Sequence, residues 1–394
     1  MMSRGYICHN CGAHGMSIFC EFRGVPVHSV LLMPTREAAV NYPRGYIVLG
    51  FCKTCGFISN VAFNPDMQEY SSRYEETQGF SPTFNTFHQN LASRLINRYN
   101  LHGKDIIEIG CGKGEFLTIL CETGKNRGVG FDPSYISDRN RSEAKDRITF
   151  IKDFYSEKYA NYQGDFVCCK MTLEHIQKTS DFLSTVRRSI GNRPNTIVFF
   201  QVPSVTRILR ELAFWDIYYE HCSYFSIGSL ARLFRKCGLD VIDITKNYDD
   251  QYLMIEARPG DGKSGFLLKQ ENDLEELTQD VVYFSKNYQN KLDAWKRNLQ
   301  EITQNGRRAI IWGSGSKGVA FLTTLNIQNE IEFVVDINPY KHGMYMAGTG
   351  QKIVSPDFLQ KYKPNVVIVM NPIYLEEVRQ ELNRMGLTIE LITV

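Results

Sequence analysis

No window of this 394-residue sequence approaches 18 consecutive apolar residues, so no membrane-spanning helix is expected. The N-terminus, Met1 to Cys8, lacks an apolar run, which argues against a secretory leader. An excess of charge is missing too. Lys and Arg number 45 against 43 Asp and Glu, a net of +2, so a long nucleic acid is not an expected partner. The 11 cysteines are odd in number and scattered, which argues against a disulfide framework and fits a reducing cytoplasm. There is no low-complexity tract. What is present, 43% apolar and 22% charged residues, describes a globular chain long enough for two or three domains of about 150 residues.

Composition divides the chain into a cysteine-bearing module (1–72), an alternating strand and helix region (73–260), a helical connector (261–305) and a second alternating region (306–394). In the middle region, apolar spacing predicts a helix over Phe84 to Tyr99. Strands are expected at Asp105–Ile109, Gly128–Asp132, Ile148–Asp153, Asp165–Met171 and Thr196–Val202. The alternation implies an α/β fold with a parallel sheet. Apolar residues at 277, 281, 284, 288, 292, 295, 299 and 302 predict one long helix, or two in line, packing between domains or forming a dimer seam. Strands at Arg308–Trp312, Ile331–Asp336 and Asn365–Met370 announce a second, smaller Rossmann-like unit.

Cys8-x-x-Cys11 and Cys52-x-x-Cys55, each followed by glycine, have the form of zinc knuckles. Four thiolates close a tetrahedral site, so a structural Zn2+ is expected rather than a catalytic one. His9, His14 and His28 are nearby alternatives as ligands.

The run Glu108-Ile-Gly110-Cys-Gly112-Lys-Gly114 follows a strand and opens a helix. Its glycines permit close backbone approach. Asp132 ends the next strand, placed to accept ribose hydroxyls, and Asp153 closes the third, where an adenine amino group would be reached. Residue 115 is Glu, where a dinucleotide fingerprint requires Gly, and a carboxylate there repels a pyrophosphate. S-adenosylmethionine carries a sulfonium and no phosphate, so this loop reads as its site.

A second loop, Gly313-Ser-Gly315-Ser316-Lys317-Gly318, does match the dinucleotide fingerprint, with Asp336 18 residues beyond Gly318. It is read either as a site for a phosphate or ribose or as a turn for tight packing. Two Glu-His pairs lie in Leu173-Glu-His175-Ile and in Tyr218-Tyr-Glu220-His221-Cys-Ser-Tyr-Phe225. An imidazole beside carboxylate and phenol groups can take a proton from carbon and steady an enolate. Ser226 is the expected cap of the next helix. The aromatic stretch Tyr70 to Phe84 reads as a lid or as a linker.

Together with Tyr74-Glu-Glu-Thr-Gln78-Gly-Phe80 and Val335-Asp-Ile-Asn-Pro-Tyr-Lys341, these motifs resemble the nucleotide-sugar C-methyltransferases of deoxysugar pathways over nearly the whole chain. The resemblance implies a central S-adenosylmethionine-dependent methyltransferase domain, an N-terminal zinc module and a C-terminal Rossmann-like domain. It implies a nucleoside-diphosphate 4-keto-6-deoxy sugar as the small-molecule substrate, methylated at C3. His221 would be the base. Tyr74, Tyr218, His175 and Glu220 would line the sugar site. Gln78 and Lys170 would join the cofactor set. Gly313, Gly315, Ser316, Lys317 and Asp336 would hold the substrate's nucleotide. The competing readings are an RNA methyltransferase gripping its substrate with the zinc module, and a nicotinamide oxidoreductase using the C-terminal loop. A monomer and a homodimer are both compatible with the sequence.

Overall fold

The structure, a computed structural model, describes residues 5–140, 142–261, 266–327 and 329–394. The reading of the extreme N-terminus falls in part on residues 1–4, and that of the connector's start in part on 262–265; both lie outside the described residues. Three sheets organise the chain. The first joins β1 (Ser17–Pro26), β2 (Arg44–Phe51), β3 (Ile58–Asn60) and the distant β9 (Ser223–Tyr224), in that order and antiparallel throughout. A strand from the middle of the chain thus completes the N-terminal sheet.

The second sheet has seven strands in the order β10-β11-β8-β7-β4-β5-β6. These are β4 (Asp105–Ile109), β5 (Arg127–Phe131), β6 (Ile148–Ile151), β7 (Phe166–Lys170), β8 (Ile197–Pro203), β10 (Leu239–Asn247) and β11 (Tyr252–Pro259). β4 to β8 are parallel, and β7 is buried along its whole length, as expected of a strand covered on both faces. The five expected strands are parallel, and two strands that the sequence reading did not name extend the edge, where β11 runs antiparallel to both β8 and β10. Only a short turn, with Tyr248, Asp249 and Asp250 at positive φ, joins β10 to β11. A turn that short permits only an antiparallel return. The third sheet, β14 (Lys352–Val354), β13 (Ile331–Val335), β12 (Ala309–Trp312), β15 (Val366–Val369) and β16 (Glu390–Thr393) in that order, is parallel throughout.

The helices follow the sequence signals. Pro82–Tyr99 begins one turn before Phe84 because Ser81 caps it, accepting from the Phe84 N–H, with Pro82 at the first position. Ser226 caps Ile227–Lys236 in a reciprocal box with Ser229. Leu274–Gln304 is one unbroken helix of 31 residues. Its apolar stripe is covered within this chain: Phe284 meets Phe19, Tyr288 meets Phe22, and Trp295 meets Phe321 of the helix Ser316–Leu325. It packs the N-terminal sheet against the third. Among the described residues no helix is long and apolar enough to cross a membrane.

Candidate active site

In open parallel sheets the ligand crevice lies beyond the carboxyl ends of strands, where the winding direction reverses. The second sheet reverses between β4 and β7, and the third between β12 and β15. These two crevices face one another. The loops Gly110–Gly114 and Gly313–Gly318 both line a single cavity of about 640 Å³. The stretch from Tyr70 to Phe84 forms its wall, contributing Tyr70, Tyr74, Glu76, Thr77 and Gln78.

On the methyltransferase side, Gly110, Gly112 and Gly114 all adopt positive φ. A Cβ on Gly110 would fall 2.0 Å from Thr172 Oγ1, and one on Gly112 2.8 Å from Glu76 Oε1. Asp132 accepts from the Gly112 N–H (2.9 Å) and from Ser134 N–H and Oγ. Glu108 accepts from the Leu117 N–H at 3.0 Å. Burial pushes its carboxyl up to about 8 against the pull of Lys170, while burial brings the Lys170 ammonium down to about 8. That ammonium lies 2.8 Å from His88 Nε2 and over the Phe116 ring. The Thr77 hydroxyl donates to Glu115, and Gln78 accepts from Tyr374. Asp153 lies two residues past its strand, in the cavity wall, its carboxyl held down at about 2 by Lys158 and Tyr159.

The carboxylates Glu76, Glu108, Glu115, Asp132 and Asp153 thus share this half of the cavity with two lysines, both already engaged. The Lys113 ammonium donates to the Tyr74 and Ser134 carbonyls and to Glu76. An acidic cradle that excludes side chains at its glycines fits S-adenosylmethionine, a sulfonium with a ribose, and disfavours a pyrophosphate. Gly110→Ala is expected to abolish S-adenosylhomocysteine binding and to lower the melting temperature. A left-handed non-glycine residue costs about 1–2 kcal/mol before the Thr172 clash is counted. Calorimetric titration and thermal unfolding check both.

On the C-terminal side, Asp336 repeats the geometry of Asp132. It accepts from Ser314 N–H and Oγ and from the Asn338 N–H. Burial alone would raise its carboxyl, but Lys341 and the Ser314 donors hold it below the usual value. Gly313, with φ at +115°, turns the chain into the helix Ser316–Leu325. Lys317 is not a free cation, since it pairs with Asp216 of the methyltransferase domain.

Between the two loops sit the histidines. The rings of His175 and His221 meet edge to face with centroids 4.9 Å apart, and Tyr218 lies 4.0 Å from His221. Burial lowers both imidazoles, His175 to about 4 and His221 well below its ordinary value, so both are neutral near pH 7. Glu220 requires a correction. It is absent from the cavity wall, and its carboxylate points into the N-terminal domain. There it accepts from Ser29 N–H (2.8 Å) and Ser29 Oγ (2.9 Å), beside His28 Nδ1 at 3.5 Å. Adjacent residues of a turn point in different directions, so nearness in sequence to His221 did not bring Glu220 to the cavity. The carboxylate facing His221 is Glu174, 4.0 Å away, a residue that sequence reasoning passed over in favour of its neighbour His175. Asn338 and Glu76 also line the cavity and were not named as site residues, although both lie inside motifs that carried the resemblance.

Burial raises the Glu174 carboxyl to about 8. The folded state therefore holds its proton more tightly than the unfolded chain, whose value is about 4.3. That stabilisation is complete below about pH 4 and is lost as pH rises through 8. Glu174→Gln should match the unaltered chain in melting temperature below about pH 4 and exceed it above pH 8. Equal melting curves at both pH values would remove the buried charge as a cost.

Cys8, Cys11, Cys52 and Cys55 converge with all sulfur atoms within 4.8 Å of one another. The 3.6 Å separations of Cys8 from Cys55 and of Cys11 from Cys52 are far beyond a disulfide. They suit tetrahedral Zn–S bonds of ~2.3 Å, whose sulfurs stand roughly 3.8 Å apart. The turns are knuckles, with the Gly12 N–H on the Cys8 carbonyl and the Gly56 N–H on that of Cys52, both glycines at positive φ. The cluster fits structural zinc. His28 is buried away from it against Glu220, and His9 and His14 stand outside it.

Sheet order, glycine loop and acidic cradle together define an S-adenosylmethionine-dependent methyltransferase. Residues 84–244 match the model of the methyltransferase domain, and 261–388 that of the C-methyltransferase C-terminal domain. The C-methyltransferase NovU of Streptomyces niveus is 24% identical over 392 residues, covering 94% of this chain and 90% of that protein. The ubiquinone biosynthesis O-methyltransferase of Cronobacter sakazakii is 24% identical over 152 residues, 36% of this chain and 62% of that one. A solved structure, protein PH0226 of Pyrococcus horikoshii, shares 17% identity over 47% of this chain and 94% of its own, at a TM-score of 0.37. At that score the likeness carries no weight beside the strand order itself. The chain thus matches a methyltransferase domain and a C-methyltransferase C-terminal domain in succession and is similar over nearly its whole length to a C-methyltransferase.

Proposed function

We propose that this enzyme methylates a carbon beside the ketone of a 4-keto-6-deoxy sugar carried on a nucleoside diphosphate. The observation that supports this reading most is the single cavity that both glycine loops and His221 line. A methyl donor held at Gly110–Gly114 and a nucleotide held at Gly313–Gly318 would bring their reacting ends together at the histidines. S-adenosylmethionine supplies an electrophilic methyl group.

The chain's own residues supply the nucleophile. A carbon beside a carbonyl loses a proton far more readily than an ordinary C–H, and neutral His221 takes it. Tyr218, packed on the His221 ring, and His175 are placed to donate to the enolate oxygen and lower the barrier. The aromatic wall of Tyr70 and Tyr74 keeps water from the enolate. Asp336 and the N–H groups at the start of the helix Ser316–Leu325 offer ribose and phosphate partners. Lys317, already neutralised by Asp216, contributes less to a phosphate than its place in the motif suggests.

Incubation with methyl-labelled S-adenosylmethionine and a panel of nucleotide-linked 4-keto sugars tests the reading. Label is expected in the sugar carbon of at least one member. No labelled sugar from a protein that binds S-adenosylhomocysteine would sink it.

A further inference from the structure

Among the buried polar groups, Glu174 stands apart. It is 1% exposed and lies on the turn after β7, in the cavity wall. Both of its carboxylate oxygens are buried without a hydrogen-bond partner. A carboxyl held dry and unsatisfied keeps its proton until something is brought to it that stabilises the charge, which is why burial raises Glu174 to about 8. The group nearest to satisfying it is His221 Nε2, 4.0 Å from Oε1. That gap is slightly longer than a hydrogen bond, as apo pairs often are before substrate closes them. Glu220, adjacent to His221 in sequence, is fully engaged with Ser29 and cannot serve.

We propose that Glu174 and His221 act as one proton acceptor, with Glu174 positioned to take up the charge that the imidazole gains. The inference rests on the reading of His221 as the base. In the step, the C–H bond beside the ketone breaks and its electron pair enters the enolate. The proton goes to His221 and is shared with the Glu174 carboxylate, so the pair passes from a single negative charge to neutral. The enolate carbon then bonds to the methyl group, the sulfonium becomes a neutral thioether, and the pair returns its proton to solvent.

Few other charges bear on the pair. From its own turn Glu174 faces His175, and from β7 the Cys169 thiol. From the segment before β9 it faces Tyr218 and Cys222, and from the cavity wall Tyr70. Lys317 acts on His221 from the C-terminal domain but is neutralised by Asp216. None of these carries an uncompensated charge near pH 7, so the pair becomes the negative centre of the cluster once Glu174 ionises, near 8. Proton removal should then rise with pH along a limb near 8, the value to which burial brings Glu174.

The test is exchange of the sugar's C–H for deuterium in heavy water, with S-adenosylhomocysteine in the cofactor site so that no methyl is transferred. The unaltered chain should exchange, with the alkaline limb. Glu174→Gln should exchange roughly 100-fold more slowly, the lower end of a general base's contribution, and should lose the limb while S-adenosylhomocysteine affinity holds. Glu174→Asp should restore the limb at a reduced rate, which a packing role alone would not produce. If the unaltered chain exchanges and Glu174→Gln keeps both rate and limb, the pairing is overturned and the reaction stands. If the unaltered chain neither exchanges nor methylates any keto sugar, the reading of the reaction falls and takes this inference with it.

Discussion

Stripping metal from the cysteine cluster is expected to unfold the N-terminal sheet and silence the enzyme in one event. A structural zinc contributes about 10–16 kcal/mol of apparent binding free energy near pH 7, and because the unfolded chain has no preformed site, that is folding free energy. The cluster does not stand alone. Cys8, Cys52 and Cys55 pack in one apolar core with Phe57, Phe225 and Leu230. β3 pairs with β9, whose first residue is two positions past His221. The Asn10 side chain donates to the Ser229 carbonyl, and the Arg232 guanidinium to that of Cys55. Loss of the knuckles therefore frees the segment that holds His221. A loss of even ~5 kcal/mol lowers the melting temperature by roughly 10–20 °C in a domain of this size. Chelation, or Cys52→Ser, followed by circular dichroism and turnover, should show both collapsing together. Intact melting after verified loss of metal would show that the cluster is dispensable.

His221→Asn is the second large effect. The substitution retains a polar side chain but removes the imidazole proposed as the base. Turnover should fall by about 10²–10⁴-fold, while S-adenosylhomocysteine and nucleotide affinities hold. Their persistence matters because Asp132 and Asp336, at the two ends of the cavity, do not touch His221. Turnover at the unaltered rate would remove His221 as the base and leave the cofactor site standing.

Much of this was legible in one dimension, for a physical reason. Strand, glycine turn and helix N-terminus are consecutive in the chain, so Gly110–Gly114 and Gly313–Gly318 announce themselves by spacing. So do the cysteine knuckles, each a turn of four residues. The stripe from Leu277 to Ile302 is a matter of helical period, and its burial within the chain answered the choice between packing helix and dimer seam. The failures lie where contact is set by direction or by distance along the chain. Glu220 was favoured as the neighbour of His221, yet its side chain turns to Ser29, 191 residues away in sequence. Lys317 reads as a phosphate cation until Asp216 is seen across the domain boundary. The antiparallel edge was missed because a turn's length is read less easily than a strand's.

The sequence by itself determined the cofactor class and the metal ligands, because local turns and strand ends carry those chemistries. Only the tertiary structure decided that the two glycine loops open into one cavity, and which glutamate faces His221. Those depend on how two reversed sheets meet and on where a turn aims its side chains, and neither is written in spacing.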